Sequence, residues 1–335
     1  MGLPASLKNR LDLPVIGSPL FLVSGPELVI AQCKAGIVGS FPALNARPQP
    51  VLEEWIIRIK SELAEYQAAN PDKKVAPFAV NQICHASNDR LAADMETCVR
   101  QQVPIIITSL RPPAELVQAA HSYGGVVFHD VINVKHARKA AEQGVDGLIL
   151  VCAGAGGHAG TLSPFALVRE LKQWFKGTVI VSGAIADGYG IAGALAMGGD
   201  LAYIGTRFVA TAEGNAPAAY KQGLIDGTAD DIVYSNLFTG VHGNYLGQSI
   251  RNAGLDPANL PQADKSKMNF NSGGNTQAKA WRDIWGSGQG IGQVFDAPPV
   301  AELVARLKRE YVQACREFAE RMPADALSGL RNAAE

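Results

Sequence analysis

Short runs of apolar, often β-branched residues alternate along this chain with longer segments whose apolar positions recur every three or four residues. The short runs predict eight strands: Val15–Gly17, Gly36–Gly39, Val75–Val80, Val103–Thr108, Val126–His129, Gly147–Val151, Thr178–Val181 and Ala202–Gly205. Most are uninterrupted apolar runs, which is typical of parallel strands buried on both faces. The longer segments predict helices, among them Pro50–Ala69, Leu91–Gln102, Pro113–Ser122, Val134–Gln143, Ser163–Phe175 and Gly188–Met197.

Strand–helix alternation of this kind predicts parallel pairing with right-handed crossovers, and eight such units predict an α/β fold, the (β/α)8 barrel. The pattern changes after the eighth strand. We predict a barrel built from residues 1–210 and 286–335, with an inserted helical and loop domain at 211–285 covering its catalytic face. We also predict a mobile loop at Asn271–Asn275, a final outer helix at Val300–Arg321, and a frayed tail from Pro323.

Composition excludes several classes of partner. The formal net charge of the 335 residues is −1, which gives no electrostatic basis for binding nucleic acid or an anionic membrane. No apolar run is long enough to span a bilayer. The five cysteines are scattered without a CxxC pair, as expected of reduced thiols in a cytoplasmic protein, and the six histidines show no metal-ligand spacing.

Two glycine-containing turns follow the seventh and eighth predicted strands. The first carries Ser182, Gly183 and Ala184, and the second carries Gly205 and Thr206. Small residues let the backbone approach a ligand, and free N–H groups can face an anion. Because barrels place a phosphate site at this point, the two turns predict a phosphate held without lysine or arginine.

Active residues of a barrel lie at the carboxyl ends of its strands, which makes His158 the strongest candidate for catalysis. It follows the sixth strand in a loop whose Gly156 and Gly157 would let the backbone pack against a flat cofactor, and an imidazole suits proton transfer near neutral pH. The alternative is a histidine that only forms hydrogen bonds and holds a glycine loop.

Other strand ends offer further polar groups. Ser18, Pro19 and Leu20 follow the first strand. Asn81, at the end of the third, presents an amide suited to the edge of a flavin or nucleobase, or is simply a turn residue. His129 and Asp130 are a candidate polar pair at the mouth of the barrel, where Asp130 would contact the cofactor. Alternatively, Asp130 caps the next helix.

The predicted insertion and the segment after it contribute three candidate substrate contacts, His242, Tyr245 and Gln289. They are polar groups among apolar or glycine neighbours. Structural roles are the alternative for all three. The glycines near Gln289 are not a dinucleotide fingerprint, because no strand and acidic partner frame them.

Three motifs, taken together, resemble the nitronate monooxygenase family. They are GGH at 156–158, SGAIADGYG at 182–190 and IGTRFVAT at 204–211, and the resemblance runs from Pro14 to about Leu307. It implies a (β/α)8 barrel that binds FMN. It also implies ring contacts from Ser18, Pro19, Leu20 and Asn81, a phosphate cradle from Ser182, Gly183, Ala184, Gly205 and Thr206, and His158 as base or substrate anchor.

This chain departs from the family pattern at three positions. Ala184 replaces a glycine, Gly154 replaces an acidic residue, and Asp130 stands where some members place a lysine. The loss of that cation weakens the case for a reductase, because a lysine could support the anion of a reduced flavin.

The resemblance implies an FMN-dependent nitronate monooxygenase that oxidises alkyl nitronates, and nitroalkanes as further substrates, with O2 to a carbonyl compound and nitrite. An NAD(P)H-dependent flavin reductase of quinones or enoyl thioesters is the alternative. A third hypothesis is a barrel that binds a sugar phosphate. The strand ends carry no lysine or acidic pair, which disfavours it. The pattern leaves the oligomeric state open.

Overall fold

The apolar runs form a ring of parallel strands. The computed structural model describes residues 2–111, 114–263 and 283–323. Its strands, in chain order, are β1 Val15–Gly17, β2 Gly39–Pro42, β3 Phe78–Cys84, β4 Ile105–Leu110, β5 Val126–Val131, β6 Gly147–Val151, β7 Gly157–His158, β8 Thr178–Ser182, β9 Leu201–Ile204, β10 Ile232–Ser235 and β11 Gly243–Leu246. Eight of them pair in the order β1-β9-β8-β6-β5-β4-β3-β2. A parallel bridge between Ile16 and Val38 closes the ring, so the prediction of a (β/α)8 barrel is confirmed.

The second strand begins three residues later than predicted. Gly36 adopts φ +82°, a left-handed conformation typical of the residue that ends a helix. Residues 36–38 therefore leave the first helix, and the ladder to β3 starts at Gly39. The third strand is also displaced and runs on to Cys84, so that Asn81 lies within it.

Helices cover the outside of the ring. They are α1 Pro26–Lys34, α2 Val51–Ala69, α3 Leu91–Arg100, α4 Ala114–His121, α5 Val134–Glu142, α6 Pro164–Lys172, α7 Gly188–Ala196, α8 Thr206–Val209, α9 Ala218–Asp226, α10 Gly247–Asn252 and α11 Val300–Glu320. The six helices predicted between strands are all present. The predicted last helix is α11, which packs on α7, where the backbone N–H of Gly188 donates to Glu310 at 2.9 Å.

Period-two alternation divides the buried residues into two layers. Ile105 and Ile107 of β4 belong to a cluster inside the barrel, whereas Ile106 packs between the strands and the helices. Leu148, Ile149 and Leu150 of β6 alternate in the same way. Because successive side chains of a strand point to opposite faces, the residue two places beyond an inward-facing one also faces inward.

A small antiparallel sheet, absent from the predicted elements, lies over the barrel mouth. Its order is β10-β11-β7, and it pairs Gly243 with His158 and Asn244 with Gly157. The side chain of Asn244 also donates to the carbonyl of Ala155 at 2.7 Å. The hairpin thereby fixes the loop after β6.

The predicted loop Asn271–Asn275 and the tail beyond Pro323 lie outside the described residues, as does Pro113, the predicted start of the fourth helix. The division into a barrel and an inserted domain at 211–285 stays a prediction.

Candidate active site

A cavity of about 890 Å³ opens at the carboxyl ends of the barrel strands. This volume is in the range of small-molecule and cofactor sites. The residues nominated above for catalysis and cofactor contact all line it: Ser18, Pro19, Leu20, Asn81, Asp130, Gly156, Gly157, His158, Ser182, Gly183, Ala184, Gly205 and Thr206. Their binding roles stay predictions, but the fold brings them to one space.

One wall of the cavity, which we call the Asp130 side, consists of Asn81, Ser109 and Asp130. These residues stand two places beyond the inward-facing Ala79, Ile107 and Phe128 on three adjacent strands. The amide nitrogen of Asn81 donates to Ser109 Oγ at 2.9 Å, and Ser109 Oγ donates to Asp130 Oδ2 at 2.6 Å. An amide N–H can only donate, so the direction of this chain is fixed.

Burial strongly perturbs the carboxyl of Asp130. It raises the pKa to about 6, and the hydrogen bond from Ser109 opposes the rise. The other oxygen, Oδ1, is buried and has no hydrogen-bond partner among the residues that the structure describes. Asp130 lies within β5 and faces the mouth, and Asn133, not Asp130, caps α5. The hypothesis of a helix cap is therefore wrong.

His129, the neighbour of Asp130, points to the opposite face of β5. It is buried, and its Nδ1 lies 2.7 Å from the hydroxyl of Thr108. Burial lowers the pKa of His129 to about 4, so it is neutral near pH 7. His129 does not line the cavity, and the expected polar pair at the mouth does not form.

A second wall, the His158 side, is built from residues 154–158 after β6, from Thr239, and from Gly286, Gly288 and Gly290. His158 is the second residue of β7, and its Nε2 lies 2.9 Å from Thr239 Oγ1. The Thr239 hydroxyl also donates to the carbonyl of Val241 at 3.0 Å. Because the single hydroxyl proton of Thr239 points to that carbonyl, Oγ1 accepts the hydrogen bond from the imidazole. This assigns a proton to Nε2 of His158.

Burial lowers the pKa of His158 to about 4. A desolvated imidazole disfavours its charged form, so the ring is neutral near pH 7. It can therefore accept a proton or share a hydrogen bond, but it supplies no fixed positive charge.

Glycines on the His158 side allow two loops to touch. A Cβ on Gly156 would lie 2.7 Å from the backbone nitrogen of Gly288, and a Cβ on Gly288 would lie 2.7 Å from the carbonyl of Gly154. The hydroxyl of Thr206 accepts from the Gly288 N–H at 2.9 Å. The glycines thus serve loop packing as well as approach to a ligand.

The two turns predicted to hold a phosphate follow β8 and β9. Gly183 has φ +136°, and a Cβ there would lie 2.7 Å from the carbonyl of Ala153. Ala184 has φ +53°, a left-handed conformation that costs an L-residue about 1–2 kcal/mol. The glycine that Ala184 replaces in the family would adopt this conformation without that cost. A Cβ on Gly205 would lie 2.6 Å from Ser18 Oγ, a side-chain atom that would have to move to make room.

His242, Tyr245 and Gln289, the predicted substrate contacts, do not line the cavity. His242 stacks on Tyr234 with ring centroids 5.1 Å apart, and Tyr245 packs edge-on against Phe238. Gln289 occupies the space beside Gly154, where a Cβ would lie 2.9 Å from its Oε1. An acidic residue at 154 would therefore displace Gln289.

The sequence reasoning missed Ser109, Tyr203 and Thr239, which line the cavity. Ser109 and Tyr203 could have been found, because each stands two residues beyond an inward-facing residue of its strand. Thr239 carries no local signal, since it reaches His158 only through the pairing of β11 with β7. Arg47 and His136 also line the cavity and were not singled out.

The described residues contain no group of three or more histidines, cysteines or acids able to hold a metal ion. Within the same part of the chain, no helix has the length and apolar character needed to cross a membrane.

Two known proteins that are similar to this chain in sequence are nitronate monooxygenases. A nitronate monooxygenase from Paraburkholderia phytofirmans is 27% identical over 92% of this chain and 94% of its own length. One from Neurospora crassa is 33% identical over 58% of this chain and 56% of its own.

Solved structures share the fold. The nitroalkane oxidase of Streptomyces ansochromogenes superposes with a TM-score of 0.80 at 22% identity, covering 94% of this chain and all (100%) of that one. FabK from Thermotoga maritima gives 0.73 at 21% identity, covering 93% and 96%. A family model described as nitronate monooxygenase matches residues 8–310. This chain therefore belongs to the nitronate monooxygenase family and is an oxidoreductase.

Proposed function

We propose that the protein binds FMN in the cavity and oxidises alkyl nitronates with O2 to a carbonyl compound and nitrite. One observation carries this proposal: every residue nominated for cofactor contact, together with His158, lines one cavity of about 890 Å³. A flavin, when bound, supplies the redox chemistry, and the protein supplies position and charge.

The glycine turns fit a phosphate. Ser182 ends β8 and is followed by Gly183 and Ala184, whereas Gly205 and Thr206 follow β9. All five residues line the cavity. Backbone N–H groups and hydroxyls there can hold an anion without a nearby lysine. Since the turns provide one such cradle, FMN fits them better than a dinucleotide.

His158 would act on the substrate as a neutral imidazole. The pKa of about 4 keeps the ring in the neutral form, which is the form able to take the α-proton from a nitroalkane near pH 7, and it makes that base a weak one. Thr239 lies 2.9 Å from Nε2 and fixes the orientation of the ring in the cavity. An already anionic nitronate needs no such step and requires only orientation.

The test begins with the chromophore. We expect protein denatured after purification to release FMN, identified by HPLC, and anaerobic ethyl nitronate to change the flavin spectrum where NADH does not. Nitrite release with O2 uptake should need no NAD(P)H. FAD as the main species, or no flavin after reconstitution, would contradict the cofactor. Rapid bleaching by NADH, with no response to nitronate, would instead favour the flavin reductase.

A further inference from the structure

Asp130 gives the cavity a negative charge that no neighbour in the described part of the chain balances. It is the only carboxylic acid among the described residues of the cavity wall. In the described part of the chain, no lysine or arginine forms an ion pair with it. Its sole hydrogen-bond donor there is the neutral hydroxyl of Ser109.

The titratable groups around Asp130 are neutral near pH 7. Burial raises the pKa of Tyr203 on β9, and it raises the pKa of Cys84 on β3 to about 12. In both cases the nearby Asp130 charge adds to the rise. Burial lowers the pKa of His136 on α5 and brings that of His158 to about 4. On β4 and β6, the facing residues Ser109 and Ile149 carry no charge.

The cation on the wall, Arg47, lies at the rim. Its side chain is exposed and directed to other partners: Nε donates to the carbonyl of Leu44 at 2.8 Å, and the guanidinium lies 5.6 Å from the ring centre of Phe21. Water screens such a charge far more than the buried carboxyl, so Arg47 does not cancel Asp130.

We infer that Asp130 couples the binding of an anion in this cavity to the uptake of a proton: the carboxyl is ionised in the free protein and is protonated when an anion is bound. Two like charges in one partly closed space repel, and a proton on Asp130 removes the repulsion. The pKa of Asp130, about 6 in the free protein, leaves it close enough to neutrality to accept that proton. The inference depends on the proposed function in one respect only, which is that the substrate carries a negative charge.

The test uses propanoate, an unreactive planar-headed anion similar in size to an alkyl nitronate, and the neutral propanamide. Their dissociation constants are measured by saturation-transfer NMR from pH 5 to pH 8 on the protein as purified, with its flavin content determined separately. Binding is thus read without turnover, and a failure of the FMN assignment appears in the flavin content and not in the pH dependence.

For the wild type we expect propanoate to bind more weakly as the pH rises above about 6, by about tenfold to a hundredfold at pH 8. Asp130→Asn should bind propanoate at the tighter value across the range. Propanamide binding should be independent of pH in both proteins. Asp226→Asn, which removes a charge from the exposed end of α9, should behave as wild type.

A second variant keeps the carboxyl of Asp130 and removes the hydroxyl that donates a hydrogen bond to it. Ser109→Ala removes the hydrogen bond that favours the ionised form, so the midpoint of the pH dependence should move upward. It also provides the test if Asp130→Asn fails to fold. Propanoate binding that does not vary with pH in the wild type, that keeps the same pH dependence in Asp130→Asn, or that keeps the same midpoint in Ser109→Ala would overturn the inference.

Discussion

Burial shifts the key ionisable group of each cavity wall toward its neutral form, but the two pKa values move in opposite directions. On the His158 side, burial lowers the pKa of a base to about 4, and on the Asp130 side it raises the pKa of an acid to about 6. The cause is the same, because removal from water disfavours whichever form is charged. The consequence differs: His158 is fully neutral near pH 7, whereas Asp130 remains ionised and close to its transition.

The walls also differ in construction. The Asp130 side is made by three adjacent strands, whose register fixes the side chains. The His158 side is made by loops, which hold their shape through contacts between Gly156 and Gly288 and through the pairing of β7 with β11. Small changes in chain packing should therefore disturb the second wall more than the first.

The largest expected effect is on turnover. Replacement His158→Asn should lower nitrite release from nitroethane by about 10²–10⁴-fold, the usual cost of losing acid–base assistance. Preformed ethyl nitronate should retain more activity, because its proton has already left. His242→Asn, which changes a ring that stacks on Tyr234 off the cavity, is the control and should remain near wild type. Equal losses on both substrates would identify His158 as an anchor and not a base.

The loop-built wall should be sensitive to one methyl group. Gly156→Ala places a Cβ 2.7 Å from the Gly288 nitrogen and 2.9 Å from the Ser287 carbonyl carbon, both backbone atoms. We expect a loss of about 1–3 kcal/mol in the free energy of unfolding, measured with urea.

The matched control for this glycine is Gly193→Ala in α7. A Cβ there has nothing within 4 Å, so the helix should gain about 0.5–1 kcal/mol. Equal effects of the two substitutions would show that the contact between the loops is unimportant.

The strand-built wall should show its charge in the pH dependence of stability. The folded pKa of Asp130 is raised above its ordinary 3.8, so the folded protein holds a proton that the unfolded chain releases. Stability from this group is full below pH 3.8 and is lost as the pH rises to about 6. Asp130→Asn should therefore be more stable by roughly 3 kcal/mol at pH 8 and show no gain at pH 4, by thermal unfolding. An equal gain at both values would assign the effect to packing.

The smallest effect concerns the orientation of the imidazole. Thr239→Val removes the hydroxyl 2.9 Å from His158 Nε2 and should lower kcat by about tenfold, the worth of one such hydrogen bond. It should also shift the acidic limb of the pH–rate profile. Thr239→Ser keeps the hydroxyl and should restore both. If serine fails to restore activity, the role of Thr239 is packing of its methyl group.

Much of the barrel follows from local pattern. Buried parallel strands need continuous apolar runs, so runs such as Gly147–Val151 and Thr178–Val181 predicted their strands directly. The same alternation that puts Ile105 and Ile107 inside the barrel also points Ser109 inward. The residues of the Asp130 side could therefore be predicted from the sequence. One error in a strand boundary fell where a glycine changes the direction of the chain, at Gly36.

The tertiary structure alone decided which residues meet on the His158 side. Nothing near Thr239 in the chain indicates that it meets His158, because 81 residues separate them and a two-residue strand joins them. Likewise, His242, Tyr245 and Gln289 are polar residues in a plausible segment, but packing turned them away from the cavity. The sequence by itself determined the strands, the helices and the chemistry at the strand ends, because these depend on periods of two and 3.6 residues. Which loops meet over the mouth depends on long-range contacts, which no local period encodes.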